Sequence, residues 1–147
     1  MTVDCGHRTH RIEATLVGDV RSMHPIVRDE VYRIGYEAIR NASQHSHATR
    51  LDIELRYGRD LKLRVIDNGV GIDPFVLDKG REGHFGLQGM RERSGRIGGT
   101  LTLVSTATSG TVITLVVPEG LIYRSSQSPL TKALQALREV FGSRSNP

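Results

Sequence analysis

The chain has 147 residues, enough for one domain with its own core and a short appendage, but cramped for two. Its 37% hydrophobic and 24% charged residues fit a globular rather than a disordered protein, and a single cysteine, Cys5, excludes an intramolecular disulfide or a cysteine-based metal cluster. A net charge of +4 invites a nucleic-acid partner, yet the arginines are scattered over all segments with neither a basic block nor aromatic platforms, so no nucleic acid is expected.

No apolar run approaches the roughly 18–20 residues that cross a bilayer, and the N-terminus lacks a signal peptide's apolar core. The expectation is a cytoplasmic fragment without membrane contact.

Residues 1–9 form a polar lead-in without periodicity. From His10 to Val17, Ile12, Ala14 and Leu16 alternate with Arg11, Glu13 and Thr15, which predicts a strand closed by Gly18-Asp19. Pro25 then stands where helices accept proline, in the first turn. Val27, Val31, Ile34, Ala38 and Ala42 are spaced 4, 3, 4 and 4, one apolar stripe on a helix from Pro25 to Gln44. Bordering it, Glu37, Asn41, Gln44 and His45 form a polar stripe at i, i+4, i+7 and i+8.

Leu51, Ile53 and Leu55 alternate with charged residues, Tyr57-Gly58-Arg59-Asp60 turns the chain, and Leu61, Leu63 and Val65 resume the alternation, which predicts a hairpin running into Asp67. A glycine-containing loop follows Asp73-Pro74, with one short helical turn expected around residues 75–79. A helix opens at Gly86 and stops at Gly98-Gly99. Strands from Thr100 to Ser105 and from Thr111 to Val117 complete the domain near Pro118. Residues 119–128 read as a polar linker, and Leu130, Leu134, Leu137 and Phe141 line one side of a short amphipathic helix. The result is an α+β fold: a two-layer sandwich with a mixed, mostly antiparallel sheet covered on one face by helices.

Asp67-Asn68-Gly69-Val70-Gly71 carries the chemistry. A carboxylate just past a buried strand can only accept hydrogen bonds, and two glycines let the backbone approach a flat, amine-bearing ring. The loop leading into the helix at Gly86 is a natural seat for phosphate oxygens. His45 and His47, two apart at a helix end, are poorly placed to share a metal, so no structural zinc is expected.

In order and spacing, these pieces resemble the Bergerat ATP-binding domain shared by sensor histidine kinases, gyrase-type topoisomerases, a chaperone class and mismatch-repair ATPases, over about residues 10–118. The likeness is sharpest to histidine kinases of the nitrate-sensor subclass. Tyr36 to His45 looks like the N box, Asp67 to Gly71 like the G1 box, and His84 to Arg93 like the G2 box. Ser109-Gly110-Thr111 is similar to the Gly-Thr step that closes such domains.

The resemblance implies ATP and Mg²⁺ as cofactors. Asp67 would accept from the adenine amine, helped by Thr111, with Asn68, Gly69 and Gly71 around the base and ribose. Asn41 would hold Mg²⁺, and Glu37 would orient or deprotonate the attacking group. His45 and the segment Gly86, Leu87, Gly89 and Met90 would meet the phosphates, with residues 73–85 as a lid. Many members of the subclass carry Lys or Arg three residues after the metal-binding Asn, where this chain has Gln44; the departure bears on phosphate affinity, which His45, Arg91 or Arg93 would have to restore.

The implied function is the catalytic domain of a two-component sensor histidine kinase, the cytoplasmic part of a longer protein. Its partners would be a dimerisation and phosphoacceptor domain absent from this chain and, downstream, a response regulator. An anti-sigma-type serine kinase and a non-catalytic nucleotide-gated binding module are the alternatives.

Overall fold

The computed structural model describes residues 2–4, 9–72 and 85–122. The helical turn expected around residues 75–79, the lid before residue 85 and the C-terminal helix expected from Leu130 lie outside them.

Strands β1 (Thr2–Asp4) and β2 (Thr9–Val17) lead into helix α1 (Pro25–His45), followed by the hairpin β3 (Arg50–Tyr57) and β4 (Leu61–Asp67). Helix α2 (Phe85–Arg96), the hairpin β5 (Thr100–Thr106) and β6 (Gly110–Val117), and the single turn α3 (Glu119–Ile122) complete the described chain. The strands form one sheet in the order β1-β2-β3-β4-β6-β5, antiparallel except where β2 runs parallel to β3. That parallel pair is the one bridged by α1, since only a crossover returns the chain to the same end of a sheet.

The alternation in β4 explains the layering. Leu61, Leu63, Val65 and Asp67 are buried on one face, while Lys62 is exposed and Arg64 and Ile66 are half-buried on the other. Against the buried face pack Val27, Val31, Ile34, Ala38 and Ala42, the stripe expected from their spacing, together with Leu87, Met90 and Ile97 from the α2 region. On the opposite face, Arg50 of β3 pairs across to Glu13 of β2 at 3.1 Å and along its own strand to Asp52 at 2.9 Å, and Arg56 pairs along β3 with Glu54 at 3.3 Å. The hydrogen bond and charge of Asp52, joined by the charge of Glu13, hold the Arg50 guanidinium above its ordinary value.

Two segments differ from the expectation. Thr2–Asp4, within the lead-in, pairs with Thr9–Arg11 at the sheet edge, a pairing too short to show periodicity. The chain past Pro118, read as linker, turns once as α3 and puts Ile122 into the core at 0% exposure. The Ile122 carbonyl there accepts from the His24 backbone N–H at 2.9 Å, just ahead of α1. No helix among the described residues is long and apolar enough to cross a membrane.

Candidate functional site

Helix α1 supplies one wall, and its ends are locally specified. Pro25 occupies the first turn, and the His24 side chain caps it by accepting from the Ile26 N–H at 3.3 Å. At the other end the Ser46 Oγ donates to the Ala42 carbonyl at 2.6 Å and accepts from the Ala48 N–H at 3.1 Å, while His47 takes a φ of 54°. This exit delivers the chain to β3 beside the Asp67 loop.

That loop is clamped to α1 and β3. The Val70 N–H donates to the Ser46 carbonyl at 2.8 Å, and a Cβ at Gly69 would overlap the same carbonyl. The Asn68 amide oxygen accepts from the backbone N–H groups of Thr49 and Arg50 at 3.0 and 2.9 Å, and its NH₂ donates to the Thr49 hydroxyl at 3.1 Å. Asn68 and Gly69 therefore serve the backbone, and neither lines the recess described next. Gly71 does line it; its φ of 74° suits glycine, and a Cβ there would stand 2.8 Å from Ser105 Oγ.

Between α1, the Asp67 loop, α2 and β6 lies a recess of about 450 Å³ measured out to its open mouth. Ala38, Ala42, Ile72, Leu87 and Ile113 give it apolar walls, and Asn41, His45, Asp67 and Thr111 its polar groups. Asp67 and Thr111 stand directly opposite each other in the β4–β6 ladder, 5% and 4% exposed. One carboxylate oxygen of Asp67 accepts from the Gly69 N–H at 2.8 Å; the other has no hydrogen bond among the described residues. A nearly buried carboxylate oxygen facing a recess calls for a donor from a ligand or water.

A second opening, of about 760 Å³ on the same measure, adjoins the first between α1 and α2. Tyr36, Glu37, Gly86, Gly89, Met90 and Arg93 are among its walls. A Cβ on Gly86 would overlap Glu37 Oε1 and come within 3.2 Å of Asn41 Nδ2, so α2 starts against both side chains. Glu37 is 3.6 Å from Arg40, and Arg93 is 3.1 Å from Glu30. The Asn41 amide has no hydrogen bond among the described residues. Among those residues no cluster of three or more His, Cys, Asp and Glu can hold a metal by itself. A divalent ion here would draw one oxygen from Asn41 and the remainder from water and phosphate, a donor set that suits Mg²⁺.

Of the residues expected from sequence, Asn41, His45, Asp67, Gly71, Leu87 and Thr111 line the first recess, while Glu37, Gly86, Gly89 and Met90 line the adjoining opening. Ser46 and Ser105 were missed. Ser46 reads as an ordinary helix end; Ser105 was open to discovery, because Thr106 pairs with Gly110 and the hairpin then sets Ser105 opposite Thr111.

Residues 26–121 match the family described as histidine kinase-, DNA gyrase B-, and HSP90-like ATPase. Among curated proteins, the sensor protein VraS of Staphylococcus haemolyticus is 42% identical over 93 residues, covering 63% of this chain and 26% of that protein. VraS of Staphylococcus aureus is 42% identical over 94 residues with the same coverage. The chain thus spans about a quarter of the length of these relatives. Among solved structures, the histidine kinase domain of the blue-light activated histidine kinase from Erythrobacter litoralis EL346 aligns with a TM-score of 0.59 at 23% identity, over 76% of this chain and 58% of that one. The ATP binding domain of PrrB from Mycobacterium tuberculosis aligns with a TM-score of 0.55 at 22% identity, over 73% and 79%. At these identities the structures establish the shared fold.

Proposed function

Because the chain belongs to the family of histidine kinase-, DNA gyrase B- and HSP90-like ATPases, we propose that it is the ATP-binding catalytic domain of a sensor histidine kinase. The observation that carries this reading is Asp67: nearly buried, opposite Thr111, with one carboxylate oxygen tied to the Gly69 N–H and the other uncommitted among the described residues. That oxygen suits the exocyclic amine of adenine.

With the base at Asp67, the phosphates extend toward the opening shared by α1 and α2. The first amides of α2 and the positive end of its dipole favour them there. Asn41 would hold Mg²⁺ by its amide oxygen, and the ion would supply charge neutralisation for the phosphoryl group in transfer. Glu37, a turn earlier and against Gly86, would accept a proton from the attacking imidazole or orient it. The acceptor is a histidine of a dimerisation domain outside this chain, from which a response regulator takes the phosphoryl group. The 42% identity to sensor proteins supports this partner class.

The test is calorimetric titration with Mg²⁺-ATP, followed by transfer to a supplied phosphoacceptor domain. Binding of ATP, weakened by a chelator more than binding of adenosine is, agrees with the proposal. Absence of binding at millimolar nucleotide removes it.

A further inference from the structure

We propose that Ser105 is a positioning residue that sets the hydrogen-bond polarity of the base site. The inference rests on the adenine reading above and adds how the site identifies that base. Ser105 lies in one cross-strand row with Thr111 and Asp67, on three neighbouring strands. Its hydroxyl has one proton to give and two lone pairs to fill.

The Ile72 backbone N–H fills one lone pair at 2.6 Å. Two oxygens compete for the proton: Thr111 Oγ1 at 3.1 Å and the Gly110 carbonyl at 3.4 Å. The closer one takes it, because 3.1 Å lies just outside the normal range for a hydroxyl donor and 3.4 Å well beyond it. Thr111, accepting from Ser105, has its own proton left over. Thr111 is 4% exposed and lines the recess, and it has no further hydrogen bond among the described residues, so the proton is directed into the recess.

The row then shows an incoming base an acceptor, Asp67, beside a donor, Thr111. Adenine matches with its 6-amine as donor and N1 as acceptor. Guanine presents a carbonyl and an N1–H, reversed at both positions, and is refused. The opposite polarity, with Thr111 donating to Ser105, would leave two acceptors that a ring-nitrogen lone pair cannot meet. The same hydroxyl also ties Ile72, a wall of the recess, to β5.

The discriminating probe is 1-deaza-ATP, which keeps the amine and replaces N1 by C–H. In calorimetry on the whole chain, the unmodified protein is expected to bind ATP about 3- to 10-fold more tightly than 1-deaza-ATP, the worth of one hydrogen bond. Ser105→Ala, which leaves the Thr111 proton without the bond that aims it, should narrow that ratio whatever it does to both affinities through Ile72, and Ser105→Thr, which keeps the hydroxyl, should restore it. Equal binding of the two nucleotides by the unmodified protein overturns the inference, as does a Ser105→Ala that weakens both alike. Should Ser105→Ala fail to fold, the ratios for the unmodified protein and Ser105→Thr decide. Failure to bind ATP at all would instead remove the nucleotide site on which the inference rests.

Discussion

At one end of the site, Asp67 and Thr111 face each other across adjacent strands, nearly buried and fixed by hydrogen bonds with Gly69 and Ser105. At the other, Glu37, Asn41 and Gly86 meet across two helices, where Asn41 has no hydrogen bond among the described residues and Glu37 has a loose ion pair at 3.6 Å. Ladder bonds hold the first set of groups before any ligand arrives, as discrimination between bases requires. The second set is less fully bonded within the described chain, and on the proposed function phosphate, metal and acceptor would complete it. On the proposed function, recognition would belong to the sheet and chemistry to the helix pair.

Substitutions at the two ends should therefore separate affinity from transfer. The largest effect is expected for Glu37→Gln. Removing a general base costs about 10²- to 10⁴-fold in rate, so transfer to a supplied phosphoacceptor domain should fall by that order. ATP affinity measured by calorimetry should change little. A matching loss of affinity would show that Glu37 acts by holding the nucleotide, and the division would not stand. Asn41→Ala is expected to follow closely on transfer and also to abolish the Mg²⁺ dependence of ATP binding.

Next in size is Asp67→Asn, which should act on affinity. The Gly69 N–H requires an acceptor, so the Asn carbonyl oxygen turns to it and the NH₂ points into the recess, donor against donor with the adenine amine. A lost hydrogen bond to a charged group corresponds to about 10- to 100-fold in dissociation constant. Adenosine should lose affinity by the same factor as ATP, since the effect belongs to the base; a loss confined to ATP would contradict the assignment.

Much of this contrast was legible in the sequence, unevenly. The period-two pattern of β4 ends on Asp67 and the 3.6-residue pattern of α1 carries Glu37 and Asn41, so the main groups lay on elements whose periodicity is strong. The local reasons for the glycines were not legible. Gly69 was expected to make room for a ligand, yet the space it leaves is filled by the Ser46 carbonyl, a contact between a loop and a helix end 23 residues earlier in the chain. Asn68 looked like a ligand-binding group, and its amide oxygen is taken up by the backbone N–H groups of Thr49 and Arg50 where β3 begins. Strand β1 and Ile122 escaped notice because three residues and one turn are too short to carry a period.

The smallest expected effects come from the same substitution made once at each end. Gly69→Ala drives a methyl into the Ser46 backbone carbonyl, which α1 and the Val70 N–H hold in place. Overpacking of this kind destabilises by about 1–3 kcal/mol, and the Asp67 loop should shift with it, lowering ATP affinity. Gly86→Ala meets only the far end of the Glu37 side chain and, less closely, the Asn41 amide, both able to rotate away. Alanine also favours the helix by about 0.5–1 kcal/mol, so the melting temperature should hold or rise slightly. Transfer should nevertheless drop, because a displaced base loses its alignment with the reacting atoms while its chemistry remains intact. Thermal melts paired with transfer assays on the two variants check this directly. If Gly86→Ala melts early with normal transfer, or Gly69→Ala keeps both stability and ATP affinity, the rigid sheet end and the adjustable helix end are not the distinct parts described above.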